Sequence, residues 1–338
     1  MTISRPDPDR TPELHAWLRI DPARAVEGIS SGLKEAVFRR LSRKGAIIAV
    51  SGGIDSSVCA ALAVKALSKG RVFALLLPEK DSSPSSRTLG EMLCRHLDIS
   101  FEVKDISSTL ESIGCYHASR DAIRTLFPEY GEGWKHKIAI SNSLDETERY
   151  NFFNLVVQFS AGEMMRKRLP LGAYLAIVAA TNFKQRIRKT LEYYHADRLH
   201  YAVLGTPNRL EYDQGFFVKN GDGAADVKPI AHLYKSQVYE LGRYLGLPGE
   251  ILNTIPTTDT YSLEQRQDEF YFTVPYEKMD LILHGLNAGK DPGVVSSETG
   301  LTPVQVQRVM RDIVTKRKTT LPLHLKPILI EPVPEIQP

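Results

Sequence analysis

Two adjacent glycines, Gly52 and Gly53, separate the apolar run Ala46-Ile47-Ile48-Ala49-Val50 from the helix-forming stretch Val58 to Leu67. A short apolar run, a glycine turn and then a helix read as the opening of a βαβ unit, which commits the chain toward a parallel α/β sheet. The same turn is a place for an anion. Without side chains, the amides of Gly52 and Gly53 can approach a phosphate closely, and a helix opening near Ile54 aims its positive end at the same point. Asp55 falls in that first helical turn, where a carboxylate can hold magnesium against phosphates, and the hydroxyls of Ser51, Ser56 and Ser57 can donate to phosphate oxygens. A Walker A loop would need a Gly-Lys-Ser/Thr end and a dinucleotide fingerprint would need G-x-G-x-x-G; the sequence has neither. A Gly-Ser turn joining a core strand to a core helix is the plain structural alternative.

The rhythm continues beyond the turn. Helix is expected from Ile54 to Ser68, a buried strand over Val72 to Leu77, a helix over Thr88 to Leu97, a third strand at Phe101-Glu102-Val103 and a fourth at Tyr201 to Leu204. Alternation of this kind predicts a doubly wound parallel sheet of about five strands with helices on both faces. Residues 106–150 break the alternation and read as a helical insertion, a candidate lid. Helices are expected to resume over Asn151 to Met165 and Gly172 to Ala196. The expected organisation is a single domain over residues 1–330 with that insertion inside it and a tail over 331–338.

With 338 residues the chain is long enough for one large core, and 42% hydrophobic with 25% charged residues is ordinary globular composition. A net charge of +3 from nearly balanced signs gives no reason to invoke nucleic acid or an anionic membrane. The clusters Arg166-Lys167-Arg168 and Lys316-Arg317-Lys318 read as solvated surface. Residues Met1 to Arg10 carry no apolar leader and no run approaches a membrane span, so a cytoplasmic location is expected. Cys59, Cys94 and Cys115 lack metal or disulfide spacing, and Cys59 and Cys94 lie in apolar helical contexts.

A second loop completes the expected site. After the strand ending at Leu204 comes Gly205-Thr206-Pro207-Asn208-Arg209-Leu210-Glu211. Ligands of open α/β sheets bind beyond the carboxyl ends of strands, so this loop should face the glycine turn. Glu211 is then a second magnesium-holding carboxylate opposite Asp55; its ordinary alternative is an acid complementing a helix N-terminus.

The Ser51-Gly52-Gly53-Ile54-Asp55-Ser56-Ser57 turn resembles the pyrophosphate-gripping loop of the N-type ATP pyrophosphatases. Four further stretches narrow the resemblance. Gly215-Phe216-Phe217-Val218-Lys219-Asn220-Gly221-Asp222-Gly223, followed by Asp226, Pro229 and Leu233-Tyr234-Lys235-Ser236-Gln237, resembles the ammonia-dependent NAD synthetase family. So do Asn182-x-x-x-Arg186-x-Arg188, Pro256-Thr257-Thr258-Asp259 and Gln267-Asp268-Glu269. The resemblance spans most of residues 25 to 320. It implies an enzyme that adenylates the nicotinate carboxylate of deamido-NAD with ATP and lets ammonia displace AMP. It also implies Asp55, Lys235 and Glu211 as catalytic, with Asp55 and Glu211 holding Mg2+. ATP would be bound by Ser51, Gly52, Gly53, Asp55, Ser56, Ser57, Thr206, Lys235 and Thr257. The acceptor would lie near Arg186, Lys219, Asp222 and Asp226. For Lys219 the alternative is a surface lysine, and for Asp222 a turn residue between glycines. A homodimer through the apolar region between Phe152 and Ile187 is implied as well, with an ordinary internal core as its alternative.

The sequence departs from the family where Thr315 precedes Lys316-Arg317 in place of a histidine, and where Thr254 or Ile255 stands for a basic residue. The insertion is also longer than in compact bacterial members. These departures fall on the acceptor side, so an amide ligase acting on a different carboxylate, or a silent ATP-binding homologue, are the competing expectations. No glutaminase unit is evident, so ammonia is expected free or from a separate donor protein.

Overall fold

The computed structural model describes residues 14–140, 152–254, 256, 260–265 and 268–336. Its strands are β1 (Ala46–Ala49), β2 (Val72–Leu76), β3 (Ser100–Val103), β4 (Lys135–Ile140), β5 (Phe153–Gln158), β6 (Met164–Arg168) and β7 (Ala202–Leu204). The first six helices are α1 (Pro22–Glu35), α2 (Ile54–Leu67), α3 (Pro84–His96), α4 (Ser107–Ser112), α5 (Cys115–Arg124) and α6 (Leu171–Leu199). The C-terminal part adds α7 (Arg209–Gln214), α8 (Lys235–Tyr244), α9 (Gly249–Leu252), α10 (Tyr276–Asn287), α11 (Pro292–Thr299) and α12 (Pro303–His324).

A four-stranded parallel sheet of order β3-β2-β1-β7 forms the centre, one strand fewer than expected. Side chains along a strand alternate between faces, and the two faces here feed two cores. Ala46, Ile48, Val72, Ala74, Leu76, Ala202 and Leu204 pack against α1, α2 and α8. Ile47, Leu75, Leu77 and Val203 pack the other way, with Leu110, Cys115 and Ala196 from α4, α5 and α6. Apolar side chains on both faces of every central strand are what a sheet covered by helices on two sides requires. Helix α2 is buried nearly all round, which explains its uniformly apolar sequence.

The segment expected to be a helical insertion is only partly helical. Helices α4 and α5 are present, but β4, β5 and β6 form a separate antiparallel sheet in that order. Residues 153–158 and 164–165, expected as helix, lie in the strands β5 and β6. Phe153, Leu155 and Val157 alternate with polar or outward residues, and Gly162 at φ 91° closes the turn between β5 and β6. That is period two, which the aromatic and β-branched content favours over a helix. Leu155 and Val157 join Ile123, Phe127, Ile138 and Ile177 in a core of their own. A fourth core links α10, α11 and α12. The charged stretch near Asp145 and the Gln267 position lie outside the described residues.

The basic clusters are also not simply solvated. Lys316 donates to the Tyr271 carbonyl at 2.6 Å, and Arg317 forks onto both oxygens of Asp213 at 2.6 and 2.7 Å. Lys167 reaches the Leu126 carbonyl at 2.6 Å and lies over the Phe127 ring.

Candidate active site

The glycine turn opens at the carboxyl end of β1. Gly52 has φ 79°, and a Cβ there would lie 2.7 Å from Leu89 Cβ and 2.9 Å from the Ser86 carbonyl oxygen. Only glycine meets both conditions. Gly53 is the N-cap of α2 with ordinary backbone, and an added Cβ would meet nothing nearer than Ser51 Oγ at 3.4 Å. Space above Gly53 is therefore left for a ligand rather than filled by protein. The turn is held by its own hydroxyls: Ser56 Oγ donates to the Gly53 carbonyl at 3.0 Å, and Ser57 Oγ to the same oxygen at 2.8 Å.

Ser51, Gly52, Gly53, Asp55, Ser56, Thr206, Glu211 and Lys235 all line one large cavity with the turn. Ser57 does not. Its side chain is fully buried behind the turn and its hydroxyl donates to the Gly53 carbonyl.

Lys235 opens α8 and is 2% exposed, yet its ammonium is ionised because it pairs with the Asp55 carboxylate. Burial pulls its pKa down, but the charges of Asp55 and Glu211 outweigh burial and hold it above the ordinary lysine value. Asp55 also accepts from Asn208 Nδ2 at 3.0 Å. Asn208 caps α7, and Glu211 closes that cap by accepting from the Asn208 amide at 3.1 Å. The capping role and the cavity position of Glu211 thus coexist. Asp55 and Glu211 both act on Lys235 and on the buried Cys59 thiol, whose pKa burial and then these two acids push up.

The start of α8 is set by a residue the sequence did not betray. Asp280, on α10 and fully buried, accepts from the Lys235 and Ser236 amides at 3.2 and 2.7 Å and from Ser236 Oγ at 2.6 Å. These donors favour its charged form, while burial pushes its pKa up to about 7.

Helix α6 forms one wall. Tyr174, Val178, Thr181, Gln185, Arg188 and Glu192 line the cavity at alternating spacings of four and three, the stripe of a single helix face. Lys184, buried on this wall, lies 3.0 Å from Glu79 and 2.7 Å from Asp81 and donates to the Thr260 carbonyl at 2.9 Å. One turn further, Arg188 holds the Leu77 carbonyl at 3.1 Å and Ser82 Oγ at 3.3 Å. The pair clamps the loop after β2 to the wall. Lys189 and Glu192 form a buried pair at 2.7 Å, and burial raises the Glu192 pKa against the pull of Lys189. Lys184, Arg188 and Glu192, charged residues four apart and so on one face of α6, were the signal available in the sequence.

The expected acceptor residues divide. Arg186, Lys219 and Asp222 line the cavity. Arg186 Nε donates to the Lys219 carbonyl at 3.4 Å, and Lys219 Nζ donates to the Pro322 carbonyl at 2.7 Å, so both also tie the 215–223 loop in place. Asp222 is reachable through the cavity mouth while the walls around it desolvate its carboxylate and raise its pKa; it accepts from the Val218 amide at 2.8 Å. Asp226 sits elsewhere. It accepts from the Val203 amide at 2.8 Å and from Tyr193 at 3.3 Å, closing the free edge of β7, and it does not line the cavity. Thr257 lies outside the described residues.

Among the described residues no group of three or more His, Cys, Asp or Glu side chains could cage a metal. Asp55 and Glu211 flanking one ammonium do fit magnesium, which takes one or two protein carboxylates and completes its oxygen shell with phosphates and water.

A glycine turn at a strand end, a helix N-terminus and a buried lysine between carboxylates define a nucleotide-binding α/β protein. The sequence model of the family described as NAD synthase matches residues 25–126 and 135–322, and the chain belongs to that family. It is 54% identical over 333 residues to the NH(3)-dependent NAD(+) synthetase of Rhizobium meliloti, covering 98% of this chain and 99% of that protein. It is 54% identical over 316 residues to the protein of the same name from Rhizobium rhizogenes, covering 94% and 95%. Among solved structures, the NMN synthetase from Francisella tularensis has a TM-score of 0.63 at 22% identity, covering 92% of this chain and 99% of that one, a likeness of fold alone.

Proposed function

We infer that this chain is an ATP-dependent amide ligase that converts deamido-NAD, ATP and ammonia to NAD, AMP and pyrophosphate. One observation carries the reading. The glycine turn, Lys235, Asp55 and Glu211 share a cavity in a chain more than half identical, over nearly its whole length, to proteins named NH(3)-dependent NAD(+) synthetase.

The chemistry follows from the charges. A nicotinate carboxylate oxygen bonds to the α-phosphorus of ATP while the bond from that phosphorus to pyrophosphate breaks. Ammonia then forms the bond to the acyl carbon, the bond to AMP breaks, and nitrogen gives up a proton. Negative charge accumulates on the departing pyrophosphate, which the N-terminus of α2 and the glycine turn would stabilise; the Gly53 amide, which donates to Ser51 Oγ at 3.3 Å, would exchange that hydroxyl for a phosphate oxygen. Lys235 is held at the same place by Asp55 and exchanges carboxylate for phosphate oxygens as the nucleotide arrives. Magnesium would be held by Asp55 and Glu211 and would supply positive charge to the phosphates. Thr206 and Ser51 are proposed to contact ATP, and Arg186, Lys219 and Asp222 the acceptor.

Three further proposals accompany this one. Met164, Met165, Leu171 and Leu175 are 62%, 38%, 71% and 55% exposed on β6 and the start of α6, and this apolar face supports a homodimer. Ammonia arrives free or from a separate donor protein. Three buried free thiols suit the reducing cytoplasm.

The test is isotopic. Deamido-NAD carrying oxygen-18 in its nicotinate carboxylate should deliver label to AMP, with AMP, pyrophosphate and NAD formed in equal amounts. Release of ADP and phosphate, or unlabelled AMP, would refute the mechanism. Asp55→Ala and Glu211→Ala should each abolish AMP formation at ordinary magnesium concentrations; unchanged turnover in either would displace the metal site.

A further inference from the structure

The cavity holds about 2070 Å³, and pockets for a single small ligand occupy roughly 300–1,000 Å³. It is large enough for ATP and a second nucleotide-sized ligand together. The residues assigned above account for the end around the glycine turn and the 215–223 loop. The insertion supplies another wall, and nothing yet assigned uses it.

That wall alternates cation and ring. Lys80, after β2, lies over the Tyr116 ring at 5.4 Å. Tyr116 and Arg120 are one turn apart on α5 and so share a face. Arg120 acts electrostatically on Tyr130, and the Tyr130 ring meets Trp134 edge-on at 5.7 Å. All five side chains line the cavity. Arg120 and Trp134 are half-buried, and Lys80 is exposed within the opening. Among the described residues Arg120 makes no hydrogen bond or ion pair, in contrast to Arg188, Lys184, Lys189 and Lys235 on the other walls. A half-buried guanidinium with all its donors unspent, on a cavity wall that also carries an indole, is suited to a phosphate and a planar base.

We propose that Lys80, Arg120 and Trp134 form a subsite for the second nucleotide of the dinucleotide acceptor, its phosphate on Arg120 and Lys80 and its base against Trp134. The inference rests on the reading of the acceptor as a dinucleotide. It makes the insertion the element that distinguishes a dinucleotide from a mononucleotide carrying the same nicotinate group. The reacting carboxylate is then placed by a contact made away from the reacting atoms, which is how remote binding energy is used for positioning.

The test compares two acceptors, deamido-NAD and nicotinate mononucleotide, in pyrophosphate release by wild type, Arg120→Gln and Trp134→Ala. Both variants should raise KM for deamido-NAD about 10- to 100-fold, as loss of a charge-assisted or stacking contact does. KM for ATP and for the mononucleotide should stay within about twofold, since neither contact is made there. Arg120→Gln, a half-buried side chain without partners, guards against misfolding as the explanation. An unchanged KM for deamido-NAD in Arg120→Gln overturns the subsite, and so does a rise in KM for ATP, which would give the strip to the other nucleotide. Calorimetric binding of NAD to wild type and Arg120→Gln reads the subsite without turnover: weaker binding to the variant supports it, equal binding overturns it. Absence of wild-type pyrophosphate release with deamido-NAD would instead sink the functional reading itself.

Discussion

Replacing Lys235 by Met removes the buried ammonium and keeps most of the aliphatic volume. Two carboxylates, Asp55 and Glu211, then face each other without their cation, since both raise the Lys235 pKa in the intact protein. Removing one partner of a buried pair costs about 3–5 kcal/mol, because the remaining charge keeps its desolvation cost without its Coulombic return. For a chain this long, 1 kcal/mol moves the midpoint of thermal unfolding by roughly 1.5 °C, so a fall of about 4–7 °C is expected. Catalysis should suffer more. Loss of one preorganised donor to a developing anionic charge costs about 100- to 1,000-fold in kcat. The two effects separate by assay: differential scanning calorimetry gives the first, and steady-state AMP formation at saturating ATP gives the second. Magnesium provides the internal control. In the variant the freed carboxylates should bind it more tightly than in wild type, so added Mg2+ should restore part of the lost midpoint and none of the lost kcat. A variant that melts as wild type does, or that retains kcat within about threefold, would refute the assignment of Lys235 as the cation serving both roles.

The glycines make a paired prediction. Gly52→Ala places a Cβ into Leu89 and Ser86 at positive φ and should cost about 2–5 kcal/mol in chemical denaturation. Gly53→Ala has room and should cost under about 1 kcal/mol while raising KM for ATP at least tenfold; equal effects on ATP would mean the anion does not approach Gly53. His136 is buried, shares a hydrogen bond of 2.9 Å with the Tyr130 hydroxyl, and has its pKa lowered to about 3 by burial and then by Lys184. Its folded pKa lies below the unfolded value, so the unfolded chain takes up the proton first and stability falls as pH drops from about 6.5 toward 3. At pH 5 the loss is about 2 kcal/mol, and His136→Asn should flatten that slope in urea titrations at pH 7 and pH 5. Arg317→Lys loses the fork on Asp213 and the contact to Asn287 at 2.6 Å. It should cost about 1–2 kcal/mol and, because Asp213 and Glu211 share α7, raise the magnesium needed for half-maximal activity; an unchanged magnesium requirement would uncouple α12 from the site.

Strands β1, β2 and β7 were legible because each is short, apolar on both faces and followed within three residues by a glycine or proline, a pattern that burial on two sides imposes; β3, with Ser100 and Glu102 on one face, was legible from its place in the alternation. The glycine turn was legible for the same local reason. The inward turn of Ser57 was not legible, because a hydroxyl in a first helical turn reads identically whether it faces a ligand or turns back on Gly53. The structural use of Asp226 left no sign in the sequence, because closing the edge of β7 and binding a substrate call for the same residue type. Residues 153–158 and 164–165 were misread because an aromatic and β-branched run without a visible glycine at its start fits either period, and the partner strand β4 is remote in local pattern. Asp280 left no trace: its partners, the Lys235 and Ser236 amides, are 45 and 44 residues away.

What the structure adds to the motif is an arrangement of buried cations. Lys184, Lys189 and Lys235 are each 5% exposed or less, each lines the cavity, and each is paired with at least one carboxylate. Taking an ammonium out of water is costly unless a charge waits for it, and the carboxylates meet that cost during folding. An arriving phosphate therefore finds desolvated positive charge already in position and displaces one anion with another, so little reorganisation remains for the reaction itself. Arg120 departs from this arrangement. It stands half-buried and forms no ion pair among the described residues, so a ligand phosphate there would displace water and not a paired carboxylate. Binding at the insertion wall should accordingly weaken with ionic strength more steeply than binding at the glycine turn, where the charges are shielded from solvent and exchanged pairwise. KM for deamido-NAD measured from 50 to 300 mM potassium chloride should rise faster than KM for ATP over the same range, and parallel slopes would show that the two ends of the cavity bind by the same electrostatics.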